Sequence, residues 1–227
     1  MLAIADDVWQ LPLTPRNAIN AYLIGDVLVD TGIKVSADKI AAMLEGRRLS
    51  AIALTHAHAD HAGAMKRLAD RLGVPVWCGE RDREAAEAGR VVLAPAFRRP
   101  RLNALVGATA GFERAPVART LAEGDSLSAG FTVLDTPGHS PGHVSFWRET
   151  DRTLICGDVF FNMHLLTTIP GLRQPPHLFT TDPAENRRSE RRLAALEPAT
   201  VGFGHGPVLR DGAAQRLREF VQTLPPG

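Results

Sequence analysis

The sequence predicts an α/β protein in which two β-sheets pack face to face and helices cover the outside of the sandwich. Two observations support this fold class: short β-prone runs cluster in both halves of the chain, and helical patterns accompany each cluster. The chain has 227 residues and a hydrophobic content of 44%, which is enough to bury a sizeable core. We therefore expect one domain that covers residues 1–227.

The first half of the chain contains a hairpin, a helix and a short apolar strand. The hairpin covers residues 22–29, with its turn at Gly25 and Asp26 between two β-prone runs. A serine can cap a helix over residues 36–45, which has its apolar side chains on one face. Residues 51–54 then form an apolar strand.

Further elements follow until the pattern fails. The spacing of apolar residues predicts a helix over residues 64–72, ended by Gly73. A strand over residues 74–78 and a short helix over residues 80–88 come next. Residues 89–119 are apolar but aperiodic and contain three prolines, which is typical either of a lid or binding wall or of a plain loop.

The second half of the chain returns to short strands and two helices. Asp182 can cap the first helix, with Pro183 at its first position and Glu185 in the capping-box position. The second helix covers residues 212–224. The predicted strands are residues 131–134, 144–147, 153–156 and 200–203.

The charge balance argues against a nucleic-acid or anionic-membrane partner. Lys and Arg number 26 and Asp and Glu number 25, so the formal net charge is +1. Two arginine-rich groups, residues 98–101 and 187–192, are typical of solvated surface, with phosphate binding as the alternative. The sequence does not indicate an oligomeric state.

The two cysteines and the N-terminal residues predict a cytoplasmic protein. Cys78 and Cys156 lie far apart in apolar runs, which is typical of buried thiols in a reducing compartment. The first residues lack a basic start, and acidic residues interrupt them before a signal-peptide core can form. Every apolar run is shorter than the roughly 18 residues that a membrane-spanning helix requires.

A dense group of metal-binding side chains follows the strand over residues 51–54. His56, His58, Asp60 and His61 are separated only by small alanines. Imidazole and carboxylate are ligands that suit zinc, iron and similar cations. The spacing predicts a metal site, and a two-metal site in particular.

Three further candidates lie where predicted strands end. They are His139, Asp158 and His205, and each has a glycine beside it. Glycine allows a sharp turn and a close backbone approach, which a crowded site at a strand end requires. Such a histidine alone would more often be structural, but together with the cluster it becomes a candidate ligand.

Five motifs or single residues, in this order along the chain, resemble those of the metallo-β-lactamase superfamily, and the resemblance covers essentially the whole chain. They are the Asp-Thr-Gly motif that begins at Asp30, the cluster over residues 56–61, His139, Asp158 and His205. The resemblance implies an αββα sandwich of two mixed β-sheets with flanking helices. It also places the metals at one edge, between the sheets.

The resemblance further implies seven metal ligands in two groups that share a bridging carboxylate. Zinc is the expected metal, two ions per chain, with iron or manganese possible. A hydroxide shared by the two cations would be the nucleophile. The implied ligands are His56, His58 and His139 for one cation, Asp60, His61 and His205 for the other, and Asp158 between them.

Some residues are expected to act beside the metals. Asp60 would also orient the water or accept its proton. Asp30 and His143 are expected to support the ligands by hydrogen bonds rather than to bind metal. Residues 159–181 directly follow the bridging aspartate in the sequence, so we expect them to form either ordinary core or a wall that faces the substrate. The wall candidates are Phe160, Phe161, Leu165 and Phe179.

An aspartate at the bridging position resembles the glyoxalase II-like branch of thioesterases and lactonases. The resemblance implies hydrolysis of an ester-like bond in a small molecule, with thioester or lactone favoured. The residues after His205 have room for one helix, not for the helical domain with which glyoxalase II binds glutathione, so a glutathione thioester is a weaker expectation.

Four alternatives remain open. Persulfide dioxygenases resemble the same cluster, yet hold one iron on the equivalents of His56, His139 and Asp158. Phosphodiesterases or nucleases share the fold, but the near-zero charge disfavours them. β-Lactamases use other groups at the position of Asp158. A non-catalytic metal-binding module would not need every candidate ligand.

Overall fold

The first sheet contains seven strands that lie side by side in their order along the chain, in a computed structural model that describes residues 1–92 and 111–226. Neighbours are antiparallel from β1 to β4 and parallel from β4 to β7, so the sheet is mixed. The strands are β1 (Leu2–Ala5), β2 (Val8–Pro12), β3 (Asn20–Ile24), β4 (Val27–Val29), β5 (Ala51–Ala53), β6 (Val76–Gly79) and β7 (Val117–Leu121).

The second sheet contains four strands in the order β13-β10-β9-β8. The pair β10 and β13 is parallel and the other pairs are antiparallel, so this sheet is also mixed. A separate hairpin consists of β11 (Phe161–Met163) and β12 (Pro170–Arg173). The strands of the second sheet are β8 (Thr132–Asp135), β9 (Val144–Arg148), β10 (Thr153–Ile155) and β13 (Thr200–Gly202).

Helices in the described residues cover the outer faces of both sheets. The predicted cap of α4 is confirmed, because Asp182 Oδ1 accepts the backbone N–H groups of Ala184 and Glu185 at 3.0 Å each. The helices are α1 (Ala37–Met43), α2 (Met65–Leu72), α3 (Arg83–Ala88), α4 (Pro183–Ala195) and α5 (Ala213–Gln222).

Alternation along the strands creates a layered core. Leu23 and Leu28 of the first sheet pack in one cluster with side chains of α1 and α2. Ile24 and Val27 point the other way and pack with Phe146 of the second sheet. A third cluster joins the outer face of the second sheet to α4 and α5. The layers are therefore helix, sheet, sheet and helix, which confirms the predicted αββα sandwich.

The sequence did not predict every strand. The hairpin of β1 and β2 precedes the first predicted element, and β11 and β12 lie in a stretch predicted as core or wall. Residues 117–121 form edge strand β7, although residues 117–119 belong to the stretch that was predicted to be irregular. In this strand only Val117 and Leu121 are buried. Of the predicted lid or wall, residues 93–110 lie outside the described residues.

The arginine-rich groups and the two cysteines can be compared with the sequence predictions. In the arginine-rich group 187–192, Arg188 pairs with Glu185 and Arg192 with Glu123, all on the surface. The group 98–101 lies outside the described residues. Cys78 and Cys156 are both buried free thiols. Nowhere in the described ranges is there a helix with the length and apolarity needed to cross a membrane.

Candidate metal centre

The histidine cluster occupies a loop that leaves the end of β5 and is anchored on Asp30, which follows β4. Asp30 Oδ1 accepts the backbone N–H of Thr55 at 2.8 Å, and Asp30 Oδ2 accepts the Thr55 hydroxyl at 2.8 Å. His56 and His61 of this loop are fully buried. Because β4 and β5 are parallel, the anchor and the loop leave the same edge of the sheet.

The other three candidates enter from the second sheet, and two glycines make room for them. His139 follows β8, Asp158 follows β10 and His205 follows β13. A Cβ atom on Gly138, which has φ of 132°, would lie 2.1 Å from the backbone nitrogen of a residue in α4. A Cβ atom on Gly204 would lie 2.1 Å from Asp158 Oδ1. Larger residues at either position would displace the candidate ligands.

Asp158 lies at the centre of the group. Its Oδ2 atom is 3.3 Å from Nε2 of His61 and 3.3 Å from Nε2 of His205. The same oxygen is 3.4 Å from Nε2 of His139 and 3.9 Å from Nε2 of His56. One carboxylate oxygen therefore faces histidines from both sheets.

Two candidates complete the arrangement on either side of Asp158. Nδ1 of His58 lies 3.0 Å from Nε2 of His139. Asp60 Oδ2 lies 3.3 Å from Nε2 of His205. The structure thus brings all seven residues together in three overlapping groups: His56, His58 and His139; His56, His61 and Asp158; and Asp60, His61 and His205.

Backbone carbonyl groups fix the orientation of two of the imidazoles. Nε2 of His58 lies 2.8 Å from the carbonyl oxygen of Val92, and Nδ1 of His205 lies 2.6 Å from that of Ala18. A carbonyl oxygen only accepts, so these nitrogens carry the proton and donate. The other nitrogen of each ring is left facing the centre.

The anchor Asp30 orients two more rings. Nδ1 of His61 donates to Asp30 Oδ2 at 2.8 Å. The Thr55 hydroxyl already donates to Asp30, so it accepts from Nδ1 of His56, which lies 3.0 Å away. In both rings Nε2 therefore faces the centre.

The imidazole of His139 is also oriented by a hydrogen bond from Nδ1 to an acceptor outside the centre. The Thr180 hydroxyl donates to the carbonyl oxygen of Pro176, so it accepts from Nδ1 of His139 at 3.4 Å. All five candidate histidines thus have one nitrogen bonded to an outer acceptor and the other directed inward, which is the arrangement of metal-binding imidazoles.

The inward atoms have the spacing that a cation requires. Ligand atoms about 2.1 Å from a tetrahedral zinc ion lie about 3.4 Å from one another. The separations quoted above run from 3.0 to 3.9 Å, and all ligand atoms within each of the three groups lie within 4.8 Å of one another. Nε2 of His56 and Oδ1 of Asp158 are buried and have no hydrogen-bond partner among residues 1–92 and 111–226, and a cation would satisfy such atoms. The residues therefore fit a metal site.

The side of the centre with His56 and His139 differs in charge from the side with Asp60 and His205. Burial lowers the pKa of His56 and of His139, which keeps both rings neutral. Burial also lowers the pKa of His205, but Asp158 and Asp60 outweigh it and raise that pKa to about 10. Burial raises the pKa of Asp158, yet His205 and His61 hold it well below its usual range. The carboxylates concentrate negative charge on the side of Asp60.

His143 supports the loop that carries Asp158. Nε2 of His143 accepts the backbone N–H of Asp158 at 3.1 Å, and its Nδ1 donates to the Thr136 hydroxyl at 2.9 Å. Burial lowers the pKa of His143 to about 3, so the ring stays neutral. His143 does not belong to any of the three groups of potential ligands found among the described residues.

The sequence did not reveal Asp82, which ties the two ligand-bearing loops together. Asp82 is fully buried; its Oδ2 accepts the N–H of Ala57 at 3.0 Å and the Ser140 hydroxyl at 2.6 Å. Its Oδ1 accepts the N–H of Gly142 at 2.7 Å. Asp82 precedes α3 at the cap position, where an aspartate is usually read as a helix cap, yet it makes no cap bond.

A cavity of about 270 Å³ opens beside the candidate ligands. Phe161, Leu165 and Phe179 line it, as expected. Val91 also lines it and belongs to the stretch 89–119, for which the sequence predicted a lid or binding wall or a plain loop. Ile33 lines it as well, and the sequence did not suggest it. Its polar lining consists of His58, Asp60, His139, Asp158 and His205.

One wall candidate was wrong. Phe160 is fully buried in the core between the second sheet and its helices, where its ring lies 6.0 Å from that of Phe220. Consecutive residues of an extended segment point in opposite directions, so Phe160 faces the core because Phe161 faces the cavity.

The chain belongs to the metallo-β-lactamase superfamily, whose family model matches residues 14–205. It is 31% identical to a probable metallo-hydrolase, YflN of Bacillus subtilis, over 95% of this chain and 85% of that protein. It is 30% identical to a hydroxyacylglutathione hydrolase of Methylococcus capsulatus, over 97% of this chain and 72% of that protein.

Solved structures show the same fold. A di-iron-bound form of TTHA1623 superposes with a TM-score of 0.68 at 32% identity, covering 93% of this chain and 99% of that one. The B3 metallo-β-lactamase BLEG-1 superposes with a TM-score of 0.67 at 31% identity, covering 90% and 94%. The family and the cluster together define a member of a superfamily of metallo-hydrolases with a group of potential metal ligands between its sheets.

Proposed function

We propose that this protein hydrolyses an ester-like bond, a thioester or a lactone, in a small molecule and uses two bound cations. The convergence of seven potential ligands, with Asp158 at their centre, beside an apolar cavity carries the proposal. Relatives named metallo-hydrolase and hydroxyacylglutathione hydrolase support it. Zinc is the first choice of metal, and iron or manganese are alternatives.

The inward atoms would divide between two cations, with the carboxylate of Asp158 shared. Its position, 3.3 to 3.9 Å from histidines on both sides, supports this division. The first cation would be held by His56, His58 and His139, and the second by Asp60, His61 and His205.

Such a pair of cations, when bound, lowers the pKa of water and polarises a carbonyl oxygen. Asp60 faces the cavity with a side chain that is 38% exposed, and its Oδ2 atom is fixed 3.3 Å from His205. It would orient the attacking water and accept its proton at the carboxylate oxygen that does not hold the cation. Phe161 and Phe179 would exclude bulk water from the ester.

The second candidate function is that of a persulfide dioxygenase, which would use three of the seven candidate ligands. His56, His139 and Asp158 would hold one iron in a persulfide dioxygenase, and Asp158 Oδ2 lies 3.4 Å from His139 and 3.9 Å from His56. This candidate leaves Asp60, His61 and His205 without a metal, so we favour the hydrolase.

One experiment separates the candidates. Metals are quantified in protein purified without added metal, and the same sample is assayed with thioester, lactone, β-lactam, phosphodiester and persulfide substrates. We expect close to two metal ions per chain and hydrolysis of thioesters or lactones. One iron per chain, with oxygen consumption and sulfite production, would overturn the hydrolase; preferred cleavage of the β-lactam or phosphodiester would replace its substrate class.

Two substitutions test the shared carboxylate. Asp158→Ala should lose metal from both positions, whereas His205→Ala should mainly weaken the second. His177→Ala is the control, because His177 is exposed and belongs to none of the ligand groups found among the described residues. Unchanged metal content in Asp158→Ala would refute the shared role.

A further inference from the structure

Among the described residues, the lining of the cavity is apolar apart from the candidate metal ligands. Six of its lining residues are apolar: Ile33, Ala59, Val91, Phe161, Leu165 and Phe179. Every other lining residue is one of the candidate metal ligands. Among the described residues, the lining therefore contains no Lys or Arg that could bind a carboxylate or a phosphate. The substrate atoms beyond the reactive carbonyl would meet hydrocarbon.

A charged thiol group does not match this lining. Glutathione carries two carboxylates and an ammonium group, and burying a charge against apolar side chains without a partner is costly. The hairpin of β11 and β12 does contact a cation, since Arg16 donates to the Thr168 hydroxyl at 2.9 Å. Arg16 is not part of the cavity lining.

Other large apolar side chains close in sequence to the lining residues are exposed. Leu165 and Phe179 lie at its mouth, where they are 37% and 46% exposed. Next to them in sequence, Leu166 is 90% exposed and Leu178 is 49% exposed; Ile169, in the same hairpin tip as Leu166, is 60% exposed. Large apolar side chains that are exposed together mark a binding surface more often than chance exposure does.

The cavity is too small to enclose a long substrate chain. Ligand cavities usually measure about 300–1,000 Å³, and this one measures about 270 Å³. It would hold the reactive carbonyl and a short stretch of chain. The remainder of a longer chain would leave through the mouth and lie on the hairpin tip.

We propose that the substrate carries an unbranched apolar acyl chain, which starts in the cavity and continues over a rim formed by Leu165, Leu166, Ile169, Leu178 and Phe179. This inference rests on the proposed ester-like hydrolysis and adds its substrate class. The leaving thiol or alcohol is uncharged, and recognition comes from the acyl side of the bond.

The test uses the metal-replete enzyme and two series of thioesters. The first series joins acyl chains of two, four, six, eight and ten carbons to the uncharged thiol N-acetylcysteamine. The second joins the same chains to glutathione. We expect kcat/KM to rise up to about fourfold for each added methylene until the rim is covered. At equal chain length, the glutathione thioester should not be the better substrate.

Binding is measured separately, with alkyl thioethers of N-acetylcysteamine that cannot be hydrolysed. Calorimetry should show a Kd that falls with chain length in the same way, with a negative heat-capacity change from apolar burial. This readout does not depend on turnover.

Two rim variants and a matched control locate the effect. Leu166→Ser and Ile169→Ser should each flatten the rise in kcat/KM between six and ten carbons. Leu2→Ser is the control, because Leu2 lies in edge strand β1, is 57% exposed and does not line the cavity. Its slope should equal that of the unmodified protein.

The outcomes separate this inference from the proposed function. Hydrolysis of thioesters with no dependence on chain length, or a tenfold preference for the glutathione series, would overturn the acyl-chain inference and leave the hydrolase intact. A slope that Leu2→Ser reduces as much as Leu166→Ser does would also overturn the rim. If no thioester or lactone is hydrolysed, the proposed function itself fails.

Discussion

Replacing Asp82 should destabilise the protein far more than replacing an exposed aspartate. Its carboxylate accepts three hydrogen bonds, from Ala57, Ser140 and Gly142, and these residues belong to the two loops that carry candidate ligands from opposite sheets. Asp82→Ala would leave three buried donors without an acceptor. Asp82→Asn would keep an acceptor for Gly142, but its amide N–H₂ would face the N–H of Ala57.

The magnitude follows from the number of orphaned donors. Each buried donor left without a partner costs about 1–3 kcal/mol, and relief of the desolvation of the carboxylate offsets part of the sum. We therefore expect Asp82→Ala to lower the free energy of unfolding by about 3–5 kcal/mol. Asp82→Asn creates one donor–donor contact and should cost about 1–3 kcal/mol.

Urea unfolding with free zinc buffered at one concentration measures these values. Asp38→Ala is the matched control, because Asp38 is 63% exposed and pairs with Arg67 and Arg71 on the surface. It should cost less than about 1 kcal/mol. Asp82 does not tie the two loops together if Asp82→Ala costs no more than this control, or if the asparagine variant is less stable than the alanine variant.

Three other predictions concern titration, thiol access and turnover. Burial raises the pKa of Glu190 to about 8, so the folded state binds the extra proton and the contribution of Glu190 to stability falls as pH rises from about 4.5 to 8. The free energy of unfolding of Glu190→Gln in urea should lack this contribution, so its difference from the unmodified protein should change over that pH range. Burial raises the pKa of Cys78 to about 12, so a thiol reagent at pH 8 should modify neither Cys78 nor Cys156 until the protein unfolds. Asp60→Asn should lower kcat by about 10²–10⁴ with a smaller change in KM.

Each of these has a contrary outcome. The same pH dependence of stability in the unmodified protein and in Glu190→Gln would contradict the raised pKa of Glu190. Rapid labelling of either thiol in the native protein, followed by mass spectrometry, would show that the core admits the reagent. Asp60→Asn with full metal content and unchanged kcat would remove Asp60 from proton transfer.

The sequence predicts the layers and the ligand candidates because their signals are local. His56, His58, Asp60 and His61 stand together, and alternation along residues 22–29 already separates Leu23 from Ile24 onto opposite faces. The cap at Asp182 is likewise a signal within one turn of helix. Such features need no knowledge of the partner strand.

What the sequence missed depends on contacts between distant segments. Asp82 has no motif around it, and its role appears only when the loops carrying Ala57 and Ser140 meet it. Strand β7 has exposed residues on its free side, so its pattern lacks the apolar run of a central strand. Phe160 was misplaced because the direction of each residue depends on where β11 begins.

The division of the candidate ligands between two sheets has a consequence for folding kinetics. His56 and His205 stand 149 positions apart in the chain, and Nε2 of His205 approaches Nε2 of His61 to 3.5 Å. Contacts of such large sequence separation form late, because the intervening chain must first lose its entropy. Full metal affinity would therefore arise only after the two sheets dock, so the rate of cation uptake would report the completion of folding.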